Sequence, residues 1–362
     1  MITVNYGREW AKITYDALAA SDITKYLKKE FSAALKPNLV VEKPADCGAT
    51  THTEVLEGII KFLKDFGIKN ISIMENSAMG HSAKKAFKVC GYEELSKKYD
   101  VKLADLQNDR SRTIHYEGLD ISICESILNT DFFINVPVLK AHSQTKMTCC
   151  MKNLKGCMPQ SEMRRFHAIG LHKPIAALNA IFMDVFKDAQ YCVVDSICGD
   201  LSFEEGGTPV EANRVITGQN PLLVDSYCAH LIGYKPEDIE YLTIGKKFGI
   251  GGYYSLNEKI IKLNGDCKPL VNLKANDARI AGKYSSFIKE DSACSVCYAS
   301  LIFALHRCGA SSLKNKKICI GQGFKGKTAE SDVLGIGNCT KGFKKFVGGC
   351  PANAADILAH LN

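Results

Sequence analysis

The strongest constraint on the fold is the alternation of short apolar runs with amphipathic segments along the first half of the chain. The runs Phe31–Leu35, Ile71–Glu75, Val101–Leu106 and Phe132–Lys140 have the length and composition of buried strands. Segments with helical spacing lie between them. Strands that alternate with helices favour an α/β fold, with a mainly parallel (mixed) sheet flanked by helices.

Local signals predict some boundaries of these elements. Residues 1–31 carry apolar side chains at helical spacing, so we expect a helical entry segment there. Thr51 or Thr53 is expected to cap the next helix, which should end at Gly67. A turn is expected at Gly206–Pro209.

Length and charge suggest two domains and small or acidic partners. A chain of 362 residues is expected to form about two domains. We expect an α/β domain over 1–273, a polar linker over 274–289 and a small α/β lobe rich in cysteine over 290–362. The net charge of +7 is a mild excess without the basic patch of a nucleic-acid-binding protein. It is compatible with a small anionic substrate and with an acidic redox partner protein.

The cysteine count indicates a reducing compartment. The chain has 16 cysteines, and the residues after Met1 lack the apolar core of a secretory peptide. No apolar run is long enough to predict a membrane-spanning helix. Many cysteines in such a chain point to reduced thiols and metal binding rather than to disulfides. We therefore expect a cytoplasmic protein, from an organism with a strongly reducing cytoplasm such as an anaerobe.

Four cysteines near the carboxyl end form the clearest pattern for metal binding. Cys294 and Cys297 are spaced so that two thiolates can bind one centre, and Cys339 and Cys350 can complete the ligand set. Four thiolates suit a zinc ion or an iron–sulfur cubane. Pro351 follows the last cysteine, as in bacterial ferredoxins, and nearby glycines allow close approach to a bulky cluster. We expect these cysteines to bind a 4Fe–4S cluster.

Other interpretations of this segment stay open. A structural zinc ion or unligated thiols are the alternatives, because a compact run of closely spaced cysteines is absent. Cys308 and Cys319 are spare candidates for a ligand. The segment Gly321–Gly326 fits a dinucleotide fingerprint, but the residues after it lack the apolar stripe of a helix. A loop that folds over the cluster is the favoured interpretation of this segment.

A second group of candidate residues follows the strand at 132–140. Its donors are Lys140, His142, Lys152, Asn153 and Lys155. Cations and amides that converge on one region are typical of a site for a carboxylate or a phosphate. The alternative is a solvated, lysine-rich loop.

Parallel sheets bind ligands beyond the carboxyl ends of their strands, which adds further candidates. Lys36 and Asn38 follow the first predicted strand of the alternating set, and we expect them to bind substrate together with Lys152, Asn153 and Lys155. Lys140, His142 and His52 are the candidate catalytic residues. The two histidines could transfer protons or ligate a metal, or could simply pack or cap.

Three acidic residues end or follow predicted elements. Glu75 ends a strand and is interpreted as a base or as a surface carboxylate. Asp195 and Asp225 are interpreted as residues that position lysines or cap helices, and capping is the favoured role.

The order of these motifs resembles a known family. The motifs are Lys36–Asn38, Thr51–Val55, Asn135–His142, Met151–Gly156, Asp195, Gly206–Pro209 and Asp225. Together they resemble the family catalogued as domain of unknown function 362, over most of residues 32–252. Thr53 stands where that family usually has proline. The resemblance implies an α/β iron–sulfur protein of anaerobic metabolism, often with a cysteine-rich segment. The expected fold also loosely resembles nickel-dependent lactate racemase, without matching residues for its pincer cofactor.

Three functions are compatible with these features. The first is a 4Fe–4S oxidoreductase or electron-transfer protein that acts on a small anionic substrate. The second is a binding or scaffold protein stabilised by a cluster or by zinc. The third is a non-redox lyase with an open iron, which needs only three cysteine ligands.

Overall fold

The fold is known from a computed structural model, which describes residues 1–202, 209–264, 277–309, 313 and 317–361. Most of the predicted turn, Gly206–Thr208, lies outside the described residues, and so does the start of the predicted linker at 274–276.

The described residues form strands at both ends of the chain and between its helices. In chain order they are β1 (Ile2–Tyr6), β2 (Ser32–Lys36), β3 (Asn70–Glu75), β4 (Lys102–Asp105), β5 (Ser111–Tyr116), β6 (Leu119–Cys124), β7 (Phe132–Asn135), β8 (Lys140–His142), β9 (Lys146–Thr148), β10 (Gln190–Asp200), β11 (Pro209–Gly218), β12 (Ile260–Lys262), β13 (Ile288–Glu290), β14 (Lys317–Ile320), β15 (Val333–Ile336) and β16 (Lys345–Val347).

The α-helices follow the same order. They are α1 (Trp10–Ala19), α2 (Thr53–Phe66), α3 (Ala83–Val89), α4 (Tyr92–Tyr99), α5 (Glu125–Leu128), α6 (Cys150–Asn153), α7 (Gln160–Ala168), α8 (His172–Phe186), α9 (Pro221–Leu231), α10 (Glu240–Lys247), α11 (Asp277–Tyr284), α12 (Ser295–Cys308) and α13 (Ala354–Leu361).

The large sheet has eight described strands in the order β12-β1-β11-β10-β7-β2-β3-β4. Strand β11 runs antiparallel to both of its neighbours, and the other neighbouring pairs are parallel. The predicted α/β fold with a mainly parallel, mixed sheet is therefore confirmed.

Helices cover both faces of this sheet, because successive strand residues point to opposite sides. In β7, Phe132 and Ile134 join the core formed with α1–α4, whereas Phe133 joins the core formed with α5–α10. In β2, Ala34 joins that second core and its two neighbours join the first. The strands are thus apolar on both faces, as the continuous apolar runs predicted.

The amino-terminal expectation was wrong. Residues Ile2–Tyr6 form a fully buried strand that pairs with β11 and β12, and the first helix begins at Trp10. The apolar residues near Ile23 form one 3-10 turn. Local spacing could not reveal a strand whose partners lie more than 200 residues away in the sequence.

Two boundaries differ in detail from the expectation. Neither Thr51 nor Thr53 caps α2, because the cap residue is His52 and it makes no side-chain capping bond; the helix does end at Gly67. The apolar run from Phe132 to Lys140 is interrupted after Asn135, where β7 ends two residues before a proline that lacks a donor.

The carboxy-terminal lobe has its own small sheet. Strands β13-β14-β15-β16 are all parallel, and α11, α12 and α13 pack with them around a separate apolar core. Helix α11 lies within the predicted linker over 274–289, and strand β13 begins inside it and ends one residue beyond it. The division of the chain into two domains remains a prediction.

No helix among the described residues combines the length and the apolar composition needed to cross a membrane.

Candidate functional site

The site begins where the connections of the large sheet change direction. From β2 the chain adds β3 and β4 on one side, and later adds β7 and β10 on the other. Lys36 and Asn135 end β2 and β7 and face each other in register. Asn153 bridges the two strands: its Nδ2 donates to the carbonyl oxygen of Lys36 at 3.2 Å and to Asn135 Oδ1 at 2.8 Å. Such a switch point is where α/β sheets usually bind ligands.

A buried ion pair lies at the same edge of the sheet. Lys36 Nζ donates to Glu75 Oε2 at 2.7 Å, and both side chains are at most 2% exposed. The backbone N–H groups of Leu39 and Asn76 also donate to the Glu75 carboxylate. Burial raises the pKa of Glu75, and Lys36 opposes that rise. The interpretation of Glu75 as a surface carboxylate was wrong.

Gly156 is required by the close packing of this pair. A Cβ atom at this position would lie 2.2 Å from Glu75 Oε1 and 2.5 Å from Lys36 Nζ. Any larger residue would therefore displace the ion pair.

A cleft opens beside the pair, with an empty volume of about 590 Å³ that is partly open to solvent. The substrate-binding residues predicted from the sequence all line it: Lys36, Asn38, Lys152, Asn153 and Lys155. The cleft thus has three lysines against the single carboxylate of Glu75, which favours an anionic ligand.

Two amide oxygens complete the polar wall of the cleft. The Oδ1 atoms of Asn38 and Asn76 are buried, and neither accepts a hydrogen bond within the described structure. A buried acceptor without a donor is costly, so these oxygens are suited to a donor group of a ligand.

The lysines of the wall are fixed by protein contacts. Lys152 is buried and its Nζ donates to Thr148 Oγ1 at 3.2 Å; Lys155 Nζ lies 3.0 Å from His167 Nε2. Lys140 is fully buried as well. A solvated loop is therefore the wrong description for Lys140 and Lys152.

The three candidate catalytic residues lie outside the residues that line this cleft. Lys140 Nζ donates to the carbonyl oxygen of Ala49 at 2.8 Å. His142 is buried, and its Nδ1 accepts from the backbone N–H groups of Gln144 and Thr145, which fixes the β8–β9 turn. Their catalytic role stays a prediction that this geometry does not favour.

His52 forms a buried pair with Asp195. The Asp195 Oδ2 atom lies 2.8 Å from His52 Nδ1 and accepts the backbone N–H of His52 at 2.7 Å. Burial by itself lowers the pKa of His52, but the carboxylate of Asp195 opposes it and the net shift is upward. Asp195 thereby satisfies a donor at the start of α2, which agrees with the capping role favoured for it.

Asp225 has the corresponding role at α6. Its two oxygens accept the backbone N–H groups of Cys150 and Met151 at 2.7 and 3.0 Å. This carboxylate therefore fixes the short helix that carries Lys152 and Asn153 into the cleft.

The four predicted metal ligands line one cavity in the carboxy-terminal lobe. Cys294, Cys297, Cys339 and Cys350 all contribute to its wall. Each follows the carboxyl end of a parallel strand, namely β13, β15 or β16. Cys294 and Cys297 also lie at the amino terminus of the 14-residue helix α12, where the helix dipole favours negative charge.

The spacing of the four thiols is wider than a single ion requires. Zinc–sulfur bonds of about 2.3 Å place tetrahedral sulfur ligands about 3.8 Å apart. Among the described residues, only Cys149, Cys150 and Asp225 form a group of three or more potential ligand atoms that all lie within 4.8 Å of one another. The four lobe cysteines do not form such a group. The lobe cysteines therefore suit a larger inorganic centre better than one ion.

The environment of these sulfurs suits a cluster. The backbone N–H of Ala352 points at Cys297 Sγ at 3.4 Å, and Gln322 Nε2 is 3.8 Å from Cys294 Sγ. Gly337 lines the cavity, and a Cβ there would lie 3.7 Å from Cys297 Sγ. Burial raises the pKa of Cys294 to about 12, the other three cysteines add to this, and Lys155 opposes it.

The spare cysteines are elsewhere. Cys308 ends α12, about 16 Å along the helix axis from Cys297. Cys319 packs with Phe324 and Phe343 in a separate apolar group. Gly321 and Gln322, from the segment with the dinucleotide pattern, line the cysteine cavity, as expected of a loop over the cluster.

The cleft and the cysteine cavity adjoin. Met79, Cys294 and Val296 line both. The lobe contacts the large domain around this boundary: Ser295 Oγ donates to Gln144 Oε1 at 2.7 Å, and Gln322 Nε2 donates to the carbonyl oxygen of Arg164 at 3.0 Å. One wall of the cleft is therefore formed by a predicted metal ligand.

Residues 33–230 match the model of the family described as domain of unknown function (DUF362). The chain belongs to the DUF362 family. The matched region contains all the cleft residues of the large domain, whereas the cysteine lobe lies beyond it.

The further proteins to which this DUF362 chain is similar share little sequence with it. A thylakoid-associated protein of Synechocystis sp. is 22% identical over 236 residues, which is 62% of this chain and 70% of that protein. The lactate racemase apoprotein of Thermoanaerobacterium thermosaccharolyticum has a TM-score of 0.40 at 14% identity, covering 64% of this chain. A Thermotoga maritima protein has a TM-score of 0.39 at 13% identity, covering 66%. This chain spans 57% and 59% of those two structures.

Several residues of the DUF362 cleft were not anticipated from the sequence. Asn76, Met79, Thr148 and His167 line it without having been predicted to bind substrate. Asn76 and Met79 lie in the loop after β3, and the rule that ligands bind beyond strand ends places that loop at the wall of the pocket. Thr148 is brought in by long-range packing, for which the sequence gives no local signal.

We expect the His52–Asp195 pair to stabilise this DUF362 protein in a pH-dependent way. Asp195→Asn should lower the midpoint of thermal unfolding at pH 6 by roughly 3 to 10 °C, because a buried charged partner is lost. A raised pKa for His52 means that the charged pair stabilises fully below about pH 6.5 and progressively less as pH rises through the folded pKa. The deficit should therefore shrink at pH 9. Circular dichroism measures both midpoints.

The exposed pair His115–Asp120, with a similar separation of 2.8 Å, supplies the control. Asp120→Asn should change the midpoint little, because exposed pairs contribute at most about 1 kcal/mol. Equal deficits at pH 6 and pH 9 for Asp195→Asn would contradict a charged pair.

Proposed function

We propose that this protein is an iron–sulfur oxidoreductase or electron-transfer protein that acts on a small anionic substrate. The observation that carries the proposal is the shared wall of the two sites, where Cys294 belongs both to the lysine-lined cleft and to the four-cysteine cavity. A substrate in the cleft would lie next to Cys294, a ligand of the proposed redox centre, so electrons would not need a further carrier.

In this proposal Cys294, Cys297, Cys339 and Cys350 hold a 4Fe–4S cluster. When bound, the cluster supplies one-electron redox chemistry. The helix dipole of α12 and the N–H group of Ala352 favour negative charge on the sulfurs, which is a way to adjust the potential. Nearby Lys325 and Arg164 act in the same direction on Cys339.

The chemistry of the cleft suggests the class of substrate. Lys152 and Lys155 favour a carboxylate or phosphate, and Lys36 is already paired with Glu75. The amide oxygens of Asn38 and Asn76 would accept from a hydroxyl or amino group of the same molecule. A small acid that also carries a hydrogen-bond donor fits both requirements.

The alternatives are less well supported. A lyase with an open iron needs a missing ligand, whereas four cysteines line the cavity. A scaffold protein would not need the costly burial of an ion pair and two amide oxygens beside the cysteines.

None of the described cysteines is in a disulfide, which supports a reducing compartment such as the cytoplasm of an anaerobe.

An acidic electron carrier is the proposed partner protein. Cys350 is the most exposed of the four cysteines, so the cluster edge at this residue is the natural point of electron entry. Lys325 and Arg164 are exposed close to Cys339. Exposed basic residues near the cluster favour an acidic partner.

Metal content tests the cluster directly. Protein purified without oxygen should be brown and contain about four irons per chain, with a paramagnetic signal after one-electron reduction. Each of four single alanine substitutions should remove most of the iron: Cys294→Ala, Cys297→Ala, Cys339→Ala and Cys350→Ala. Iron analysis and electron paramagnetic resonance provide the measurements.

Cys308→Ala and Cys319→Ala are the matched controls, because both residues belong to the lobe but lie outside the cavity. They should retain the iron. Colourless protein with zinc in the lobe would refute the proposal.

The contact between cleft and cluster predicts a change in potential. Lys155→Met should shift the reduction potential to more negative values, on the order of tens of millivolts, because a cation near Cys294 stabilises the reduced, more negative cluster. Spectroelectrochemistry measures the potential. Lys97→Met, on the exposed side of α4, should leave it unchanged. Equal reduction potentials for the two variants would show that the charge of Lys155 does not act on the redox centre, which would contradict the proposed contact.

Reduction by an acidic ferredoxin tests the partner surface. The rate of electron transfer should fall with added salt, and Lys325→Glu should lower it several-fold at low salt because steering is reversed. Lys97→Glu carries the same change of charge on a distant surface and should have little effect. A rate independent of salt would argue against docking at the cluster edge. Stopped-flow absorbance records the rates.

A further inference from the structure

A second group of thiols lies deep in the large domain, away from the cluster cavity. Cys149 and Cys150 are adjacent at the start of α6, with their Sγ atoms 3.9 Å apart. Asp225 reaches them from α9, and the ligand atoms of all three residues lie within 4.8 Å of one another. All three residues are fully buried.

A further cysteine lies beside this group. Cys228 makes a side-chain contact with Cys149, and it follows Asp225 by three residues on α9, which places both on one face of that helix. Three thiols and one carboxylate thus lie in one buried group, in which the Cys228 sulfur is not within 4.8 Å of all three other ligand atoms. Cys192 of β10 is a further side-chain neighbour of Cys150.

The carboxylate of Asp225 is not matched by a cation. It accepts two backbone N–H groups, and among the described residues it forms no ion pair with lysine, arginine or histidine. A buried carboxylate is costly unless a cation or a proton compensates it. The N–H groups fix its orientation towards the thiols, as the outer contacts of metal-binding carboxylates commonly do.

We propose that Cys149, Cys150 and Asp225 bind a zinc ion, and that the side chain of Cys228 turns towards the ion to become the fourth ligand. The separation of 3.9 Å between the two sulfurs agrees with the value of about 3.8 Å expected for tetrahedral zinc. Thiolates with a carboxylate are a ligand set that zinc accepts, whereas monovalent copper prefers sulfur alone. Binding displaces the thiol protons to solvent and leaves no redox change to balance.

The ion would have a structural role that reaches the cleft. It joins α9 to the start of α6, and α6 carries Lys152 and Asn153. Its loss would therefore loosen the cleft wall without touching the lobe cysteines. This inference does not depend on the proposed redox function, because the ligand sets share no residue.

Zinc analysis of the full-length chain tests the site. The background variant Cys294→Ser/Cys350→Ser removes two lobe thiols so that zinc cannot occupy that cavity. After purification without oxygen and a chelator wash, this variant should retain about one zinc per chain. Adding Cys150→Ser should lower the zinc content at least tenfold. Mass spectrometry of the elements measures zinc and iron separately.

Cys124→Ser is the matched control, because Cys124 is equally buried in the same apolar core but lies outside the thiol group. It should retain the zinc. Absence of zinc from the background variant, or its retention after Cys150→Ser, would overturn the proposal.

A second measurement covers the case in which Cys150→Ser does not fold. The background variant, supplied with Co²⁺ in place of zinc, should show an intense thiolate-to-cobalt absorption together with the visible bands of a tetrahedral site. Absence of the thiolate absorption in folded protein would equally overturn the proposal.

Discussion

The buried contact between Lys36 and Glu75 is the interaction on which the cleft depends. Each charge alone would be expensive at this depth, and replacing one partner of such a pair commonly costs about 3 to 5 kcal/mol. The pair connects the end of β2 to the end of β3, and two backbone N–H groups also donate hydrogen bonds to the Glu75 carboxylate. The same close packing leaves no room for a side chain at position 156. Glycine is therefore required there, where the chain after α6 passes directly over the pair.

Two other buried carboxylates also accept backbone N–H groups near this edge of the sheet. Asp195 binds the backbone at the start of α2, and Asp225 binds the backbone at the start of α6. In each case a buried acid fixes a loop or helix start beside the carboxyl edge of the large sheet. Backbone donors at helix starts need such partners. The result is a cleft whose side chains are oriented before any ligand arrives, which lowers the entropy cost of binding.

Elements with local sequence signals could be predicted. Elements whose conformation depends on pairing with distant parts of the chain could not. The strand that ends in Lys36, the helix end at Gly67 and the convergence of the lobe cysteines could all be inferred from composition, glycine and spacing. Strand β1 was missed because β11 and β12 determine its conformation. Lys140 has the same charge as Lys152, yet only Lys152 lines the cleft, and no periodicity distinguishes them.

The position of the cleft follows from the parallel strands of the two sheets. Parallel strands collect their following loops at one edge, and this is true of the large sheet and of the lobe. Asn38 and Asn76 lie in the loops after β2 and β3, Glu75 ends β3, and the four cysteines lie in the segments that follow β13, β15 and β16. Because Met79, Cys294 and Val296 belong to both walls, the two edges meet there. A ligand in the cleft would therefore contact both parts of the chain, so its binding should depend on their docking.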